Sequence, residues 1–300
     1  MEKSLDIKKY LDDKRKLIDA FIREYFDAPL KPDILRDSIV YSLTAGGKRI
    51  RPILALASYE ACGKNPADII TYASALEFIH TYSLIHDDLP AMDDDDLRRG
   101  KLTNHKVFGE GIAILAGDSL LTEAFYLLSS TPPSVFRIPQ SAIVGVIHEV
   151  ALASGAHGMI GGQAEDILSE DKMTDSDNIS FIHSHKTGAL ITASVRMGGI
   201  LADATKEELH ALTRYAENTG LAFQIIDDIL DVEGKTEVLG KTAGSDKKKK
   251  KMTYPGLFGI DLSMEKAEEL IKSAVNALNP FSKKADPLRE IALYILHRKS

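Results

Sequence analysis

His86-Asp87-Asp88-Leu89-Pro90-Ala91-Met92-Asp93-Asp94-Asp95-Asp96-Leu97-Arg98-Arg99 and, far along the chain, Phe223-Gln224-Ile225-Ile226-Asp227-Asp228-Ile229-Leu230-Asp231 are two carboxylate clusters in apolar surroundings. Ionised carboxylates on apolar helices are unfavourable unless a cation or a hydrogen-bond donor compensates them. Two clusters that each present several oxygens suit hard divalent cations, with a phosphorylated ligand bridging the two.

The helical period runs on in both directions from these clusters. Ile7, Leu11, Ile18, Ile22 and Tyr25 keep the three-to-four spacing of an amphipathic helix, closed by Pro29 and Pro32. Gly46-Gly47 breaks the next helix, Pro52 suits the N1 position of the one after it, and Gly63 ends that segment. A long helix is expected from about residue 67 to the first cluster, where Pro90 stops it. Period alone predicts further helices over 112–128, 142–156, 179–201 and 206–232. Thr205 and Glu208 form a capping box for the last of these, and Ser263 and Asp286-Pro287 each open another helix. No alternating strand pattern and no low-complexity linker is present. The expected architecture is all-α, ten or so helices in a single domain over residues 1–300.

Composition narrows the function. The 37 basic and 44 acidic side chains leave a net charge of −7, which argues against a general nucleic-acid surface. Cys62 is the only cysteine, so neither an internal disulfide nor a cysteine zinc cluster is available. The opening Met1-Glu2-Lys3-Ser4-Leu5-Asp6 has no apolar signal core, and no apolar run is expected to reach membrane-spanning length. A cytoplasmic location is the expectation.

On the helix ending at Pro90, His80, Leu84 and Asp87 share a face by their i, i+4, i+7 spacing. Asp88 lies beside Asp87, and Asp93 falls where the chain can turn back towards the same cation. Asp94, Asp95 and Asp96 read as solvated residues or as neighbours of the ligands. In the second cluster Asp227 and Asp231 share a face, and Gln224, three residues before Asp227, faces the same way. Cations bound mainly by carboxylates keep open coordination positions, so an anionic ligand is expected to fill them. Lys48 and Arg51, at the glycine-marked start of a helix, suit phosphate oxygens, as do Lys186 and Lys241 beside glycines. Gly161-Gly162 permits close helix approach. Histidines such as His80 and His86 are commonly hydrogen-bonded core or rim residues.

Gly46-Gly47-Lys48-Arg49-Ile50-Arg51-Pro52, the aspartate-rich pair, Lys186-Thr187-Gly188 and Phe223-Gln224 before Asp227 together resemble the trans-isoprenyl diphosphate synthases, most closely their bacterial farnesyl type. The likeness runs from Gly46 to Gly259. It implies an isoprenoid synthase fold around a deep cavity, usually as a homodimer, with isopentenyl and allylic diphosphates as ligands. It further implies Mg2+ held by Asp87, Asp88 and Asp93 on one wall and by Asp227 and Asp231 on the other. Lys48, Arg51, His80 and Arg99 would hold isopentenyl diphosphate, and Arg98, Lys186, Lys241 and Lys251 the allylic diphosphate. Thr187 and Gln224 would lie near the allylic cation. Tyr82 and Ser83, about one helical turn below Asp87, would set chain length. The resemblance points to a fifteen-carbon product, with geranylgeranyl as runner-up. A terpene cyclase, a non-catalytic subunit and a metal-dependent phosphohydrolase are alternatives. A cyclase would not need a second diphosphate site, and a non-catalytic subunit would be expected to lose one acidic cluster. The stretch between Asp246 and Thr253 departs from the pattern in being nearly all lysine, although Lys251 keeps its register.

Overall fold

In the computed structural model, which describes residues 5–130, 138–169, 176–233 and 253–298, helices follow one another almost without interruption. α1 (Ile7–Tyr25) starts where the Asp6 carboxylate accepts a hydrogen bond from the Lys9 amide at 3.1 Å, and it buries Ile18 and Ile22. α2 (Asp33–Leu43), α3 (Ile50–Ala61) and α4 (Ile70–Asp87) follow. A two-residue antiparallel hairpin, β1 (Leu97–Arg98) with β2 (Lys101–Leu102), leads to α5 (Asn104–Phe108) and α6 (Glu110–Ser129). Next come α7 (Gln140–Ser154), α8 (Met159–Leu168), α9 (Ser176–Ile182), a π-helical turn over His183–Gly188, and α10 (Ala189–Leu201). α11 (Lys206–Glu233), α12 (Tyr254–Phe258), α13 (Ile260–Ala277) and α14 (Asp286–His297) complete the described chain.

α3 and α10 form the centre. α3 is apolar nearly all round, the pattern of a helix with no solvent face. Its Leu56 and Tyr59 belong to a core built on α4 and α6, while its Ile53 and Leu54 belong to a second core built on α11, α13 and α14. α10 divides in the same way, Met197 towards the first core and Val195 towards the second. The two helices touch at Gly198, where a Cβ would stand 2.7 Å from the Tyr59 amide nitrogen. The backbones are therefore in contact, and the first turn of α3 is held at a fixed distance from the π-helical turn.

The all-α expectation holds, with several local corrections. The capping box forms, with the Glu208 amide donating to Thr205 Oγ1 at 3.2 Å and the Thr205 amide donating to Glu208 at 2.8 Å. Pro52 occupies the third position of α3 rather than the first, because Arg49 caps the helix in a left-handed conformation at φ 53°. Pro52 still sits in the first turn, where no amide hydrogen is required. α13 opens at Ile260 after Gly259, and the Ser263 hydroxyl merely donates back to the Gly259 carbonyl at 2.6 Å. The helix expected over 179–201 is interrupted by the π-helical turn. The hairpin escaped a reading based on strand length because each strand has two residues.

The expectation that no apolar run reaches membrane-spanning length is also corrected. Glu110–Ser129 and Gln140–Leu168 are both long and apolar enough to cross a membrane by length and composition. In α6 this arises because apolar residues lie on two faces. Ala113, Ala116, Leu120 and Leu127 are buried in the first core, whereas Ile114, Leu115 and Tyr126 are exposed.

Candidate active site

The first acidic cluster closes α4. The helix ends at Asp87 with Asp88 as its C-cap, and beyond Pro90 the chain turns back so that the Asp93 amide donates to the Asp87 carbonyl at 2.8 Å. Asp87 and Asp93 are thereby brought together, as the sequence suggested. Burial pushes the Asp87 carboxyl up to about 6, against the pull of Lys186 and with the help of Asp93. Asp88 is buried, and its Oδ1 accepts from Nε of Arg98 at 2.9 Å and from Nη2 of the same guanidinium. Arg98 also reaches Asp95 at 3.4 Å, and Lys106 pairs with Asp96 at 2.8 Å, so these two aspartates brace the hairpin. His86 is a rim residue. Its Nε2 lies 3.1 Å from the Ile114 carbonyl, over a glycine, Gly117, where a side chain would collide with the ring. Tyr82 is buried in the first core with its ring edge-on to His86 at 5.8 Å, and the Ser83 hydroxyl donates to the His80 carbonyl at 2.9 Å.

On the opposite wall, α11 carries the second cluster, and its three aspartates have three different fates. Asp227 accepts from Nη2 of Arg298 at 2.5 Å. Asp228 is buried and accepts from Gln224 Nε2 at 3.0 Å and from the Tyr254 amide at 3.0 Å, with His183 Nε2 at 3.3 Å. Asp231 is buried, and its Oδ1 has no partner among the described residues. The π-helical turn adds Thr187, whose hydroxyl donates to Gln224 Oε1 at 2.9 Å, and Lys186, whose ammonium pairs with Asp166 at 2.7 Å. The glycine expected to admit close approach does so at Gly162, where a Cβ would lie 2.7 Å from Cα of Lys186.

A cationic surface lies between the walls. Gly46 and Gly47 take φ of 96° and 127°, which only glycine adopts readily, and the Arg99 guanidinium packs on Gly47 and donates to the Gly46 carbonyl. Arg49 anchors the loop from below, donating to Asp19 at 2.9 Å, Glu77 at 2.6 Å and the Leu43 carbonyl at 2.5 Å. Burial lowers the Arg51 guanidinium from its ordinary value, opposed by Glu77 and Asp227, and Arg51 Nε is buried without a partner. Burial, followed by Arg298, lowers Lys48, and Asp227 opposes. His80 is held well below its ordinary value by burial and then by Arg51, Arg99, Arg98 and Arg49, so its imidazole is neutral. Lys48, Arg51, His80, Arg98 and Arg99 thus share one electropositive neighbourhood that borders Asp227. Lys241, Lys251 and the lysine run at 247–251 lie outside the described residues.

No three carboxylate or imidazole side chains among the described residues stand close enough to enclose a cation by themselves. The donor chemistry still fits magnesium. Asp231 offers a buried oxygen without a donor, and Asp87 carries no hydrogen bond on its carboxylate among the described residues. Magnesium is commonly held by one or two carboxylates and completed by phosphate oxygens and water.

Residues that motif reading missed are Arg298, Arg49 and the pair His183 and Asp228. Arg298 follows the last helix with no motif around it, yet its guanidinium lies 4.0 Å from the Phe223 ring centroid and meets Asp227. The signal for Arg49 was present, an arginine beside two glycines, but only its buried partners give it a role.

Comparison with known proteins places the chain. Residues 32–291 match the polyprenyl synthetase family. Geranylgeranyl diphosphate synthase of Cyanophora paradoxa is 45% identical over 301 residues, covering 100% of this chain and 99% of that protein. Farnesyl diphosphate synthase of Geobacillus stearothermophilus is 46% identical over 270 residues, covering 90% of each. The crystal structure of an FPP/GFPP synthase from Zymomonas mobilis superposes with a TM-score of 0.86 at 36% identity, over 97% of this chain and 99% of that one. The chain belongs to the polyprenyl synthetase family. Its activity is that of a trans-prenyltransferase acting on isoprenyl diphosphates.

Because Asp87 binds its proton more tightly folded than unfolded, the protein loses stability as pH rises from about 4, the free value, to about 6. Asp87→Asn, uncharged throughout, is expected to raise the melting temperature of the metal-free protein at about pH 7.5 and to leave it unchanged at about pH 4. The same difference at both pH values would remove the burial argument.

Proposed function

We propose that the chain is a magnesium-dependent synthase that condenses isopentenyl diphosphate with dimethylallyl and then geranyl diphosphate, giving farnesyl diphosphate. The observation that carries this reading is the pairing of two carboxylate walls with a separate cationic surface of Lys48, Arg51, His80 and Arg99. A cyclase acting on one diphosphate would leave that surface without a ligand.

Bound magnesium would supply positive charge against the departing diphosphate, held by Asp87, Asp88 and Asp93 on one side and by Asp227 and Asp231 on the other. Lys186 and Arg98 add fixed positive charge at the allylic diphosphate, Lys186 facing Asp87 and Arg98 held by Asp88. Arg51 and Arg99 present forked donors to isopentenyl diphosphate, and Lys48 a point charge. Neutral His80 can donate a hydrogen bond to that diphosphate without adding to the crowd of charges. Thr187 and Gln224 turn oxygen atoms towards the carbon from which the diphosphate leaves. As the carbon–oxygen bond breaks, an allylic cation forms; the isopentenyl double bond attacks it and a proton is then lost to the released diphosphate. The apolar core around α4 and α10 would help to keep water, which would capture the cation, from the reacting carbon.

Tyr82 supports the fifteen-carbon product, since its buried ring lies about one turn below Asp87 where a growing tail would extend. The four residues between Asp88 and Asp93 fit the same type. Small Ser83 beside the ring favours geranylgeranyl diphosphate as the second reading, and relatives of both kinds are similar to this chain.

Pairing of two copies completes the reading. The outer faces of α6 and α7 expose Leu115, Tyr126, Val144 and Leu152, apolar side chains that a second copy would cover. Sedimentation velocity is expected to give twice the chain mass, and a monomer at micromolar concentration would exclude the homodimer.

Incubation with dimethylallyl and isopentenyl diphosphates should yield farnesyl diphosphate, with turnover abolished by a chelator. Tyr82→Ala should lengthen the product by at least one five-carbon unit. If that variant makes the same product more slowly, Tyr82 is packing alone. Arg51→Ala should raise the Michaelis constant for isopentenyl diphosphate by about tenfold or more, and far less for the allylic substrate, because a charged hydrogen-bonded contact contributes about 1.5–3 kcal/mol. Equal weakening of both substrates would mean that the two diphosphate sites are interchanged or shared.

A further inference from the structure

Asp228 sits between Asp227 and Asp231 in sequence but turns away from both in role. Its buried carboxylate receives Gln224 Nε2 and the Tyr254 amide, each at 3.0 Å, and faces His183 Nε2 at 3.3 Å. His183 is itself buried, and its ring stacks on Tyr254 with centroids 6.4 Å apart. Donors from α11 and α12 thus converge on one carboxylate, with the His183 ring of the π-helical turn beside it, and both its oxygens are engaged inside the protein.

The chemistry of these groups leaves one arrangement. An ionised carboxylate only accepts, so Gln224 must offer Asp228 its NH2 group. The Gln224 carbonyl oxygen then points at Thr187 and accepts its hydroxyl hydrogen at 2.9 Å. Thr187 has one hydrogen to give, and it is used. What remains on Thr187 Oγ1 and Gln224 Oε1 is lone-pair density, with no hydroxyl hydrogen left to aim elsewhere. Each bond in such a chain polarises the next in the same sense, and a low-dielectric setting strengthens the effect.

We infer that Asp228 is a positioning residue that fixes the polarity of the Gln224 amide and the Thr187 hydroxyl, so that both present oxygen rather than hydrogen to a developing positive charge. This rests on the proposed placement of Thr187 and Gln224 beside the allylic cation. It assigns Asp228 to this polar chain and not to the metal. An amide at position 228 would offer both a donor and an acceptor, so Gln224 could flip and turn an N–H towards Thr187.

The test is a double-mutant cycle on the full-length enzyme with Asp228→Asn and Gln224→Ala. Asp228→Asn should lower kcat by about tenfold or more while the Michaelis constants for both diphosphates and the magnesium half-saturation stay within about twofold. The double variant should be no slower than Gln224→Ala alone, since Asp228 acts through Gln224. Additive losses would overturn the inference, and so would a fivefold or larger rise, about 1 kcal/mol, in the magnesium requirement of Asp228→Asn. A wild-type rate in Gln224→Ala would instead overturn the placement of Gln224 beside the cation, and the inference with it. A readout independent of turnover is solvent exchange of the Gln224 side-chain amide, followed with 15N-glutamine labelling. It should be slow in the wild type and fast in Asp228→Asn, and equally fast exchange in both would show that the bond to Asp228 does not hold.

Discussion

A carboxylate removed from water without a donor to stabilise it is among the least favourable groups a protein can carry, and Asp87 and Asp231 both approach that state. Asp87 is half-buried with its proton affinity raised, and Asp231 keeps a buried oxygen without a partner among the described residues. Such groups persist when the rest of the structure holds them in place. Here the holding is done by helices whose other residues are core: Tyr82 and Ile85 ahead of Asp87, Ile226 and Ile229 around Asp227 and Asp228. The same desolvation that weakens the protein without a cation would favour the binding of one, as the proposed function requires.

The cationic side is organised by a different means. Arg49, buried against Glu77, Asp19 and the end of α2, is a fully satisfied internal ion pair. Removing one partner of such a pair leaves an uncompensated charge and costs far more than the pair itself contributes. Its consequence is geometric. It fixes the left-handed residue that starts α3, and with it the directions of Lys48 and Arg51. The contact of α3 with α10 at Gly198 extends that control to the π-helical turn. Cations on one element and the oxygen atoms of Thr187 and Gln224 on another are therefore positioned by a single rigid core.

Much of this was legible in the sequence because it follows from local rules. Helix period, the Thr205-Glu208 box and the stop at Pro90 are short-range facts, and the structure repeats them. The aspartates were conspicuous because charge on an apolar helix has few explanations. What escaped was the pairing of residues far apart in the chain. Nothing near Arg298 predicts that it crosses to Asp227, 71 positions away, and nothing near His183 predicts Asp228. The π-helical turn escaped for a related reason. Its sequence keeps the helical period on either side, and the extra residue becomes visible only when Gly162 packs against it. The small corrections at Pro52 and Ser263 have the same origin, since a left-handed arginine and a glycine start those helices rather than the more usual cap.

Two of the cations proposed to meet the allylic diphosphate already have carboxylate partners, Arg98 with Asp88 and Lys186 with Asp166. A diphosphate reaching Arg98 and Lys186 exchanges one set of ion pairs for another. The net gain is then a difference between two favourable sets of contacts, which keeps affinity moderate even though each contact is strong. That difference favours a ligand whose charge grows. As the bond to the allylic carbon breaks, negative charge accumulates on the departing diphosphate, and fixed cations interact more strongly with the product of that step than with its start. Carboxylate partners that weaken binding of the ground state leave that increment intact. An electropositive surface tempered by its own aspartates is thus better suited to catalysis than one left uncompensated, which would bind substrate and released diphosphate alike too tightly to turn over.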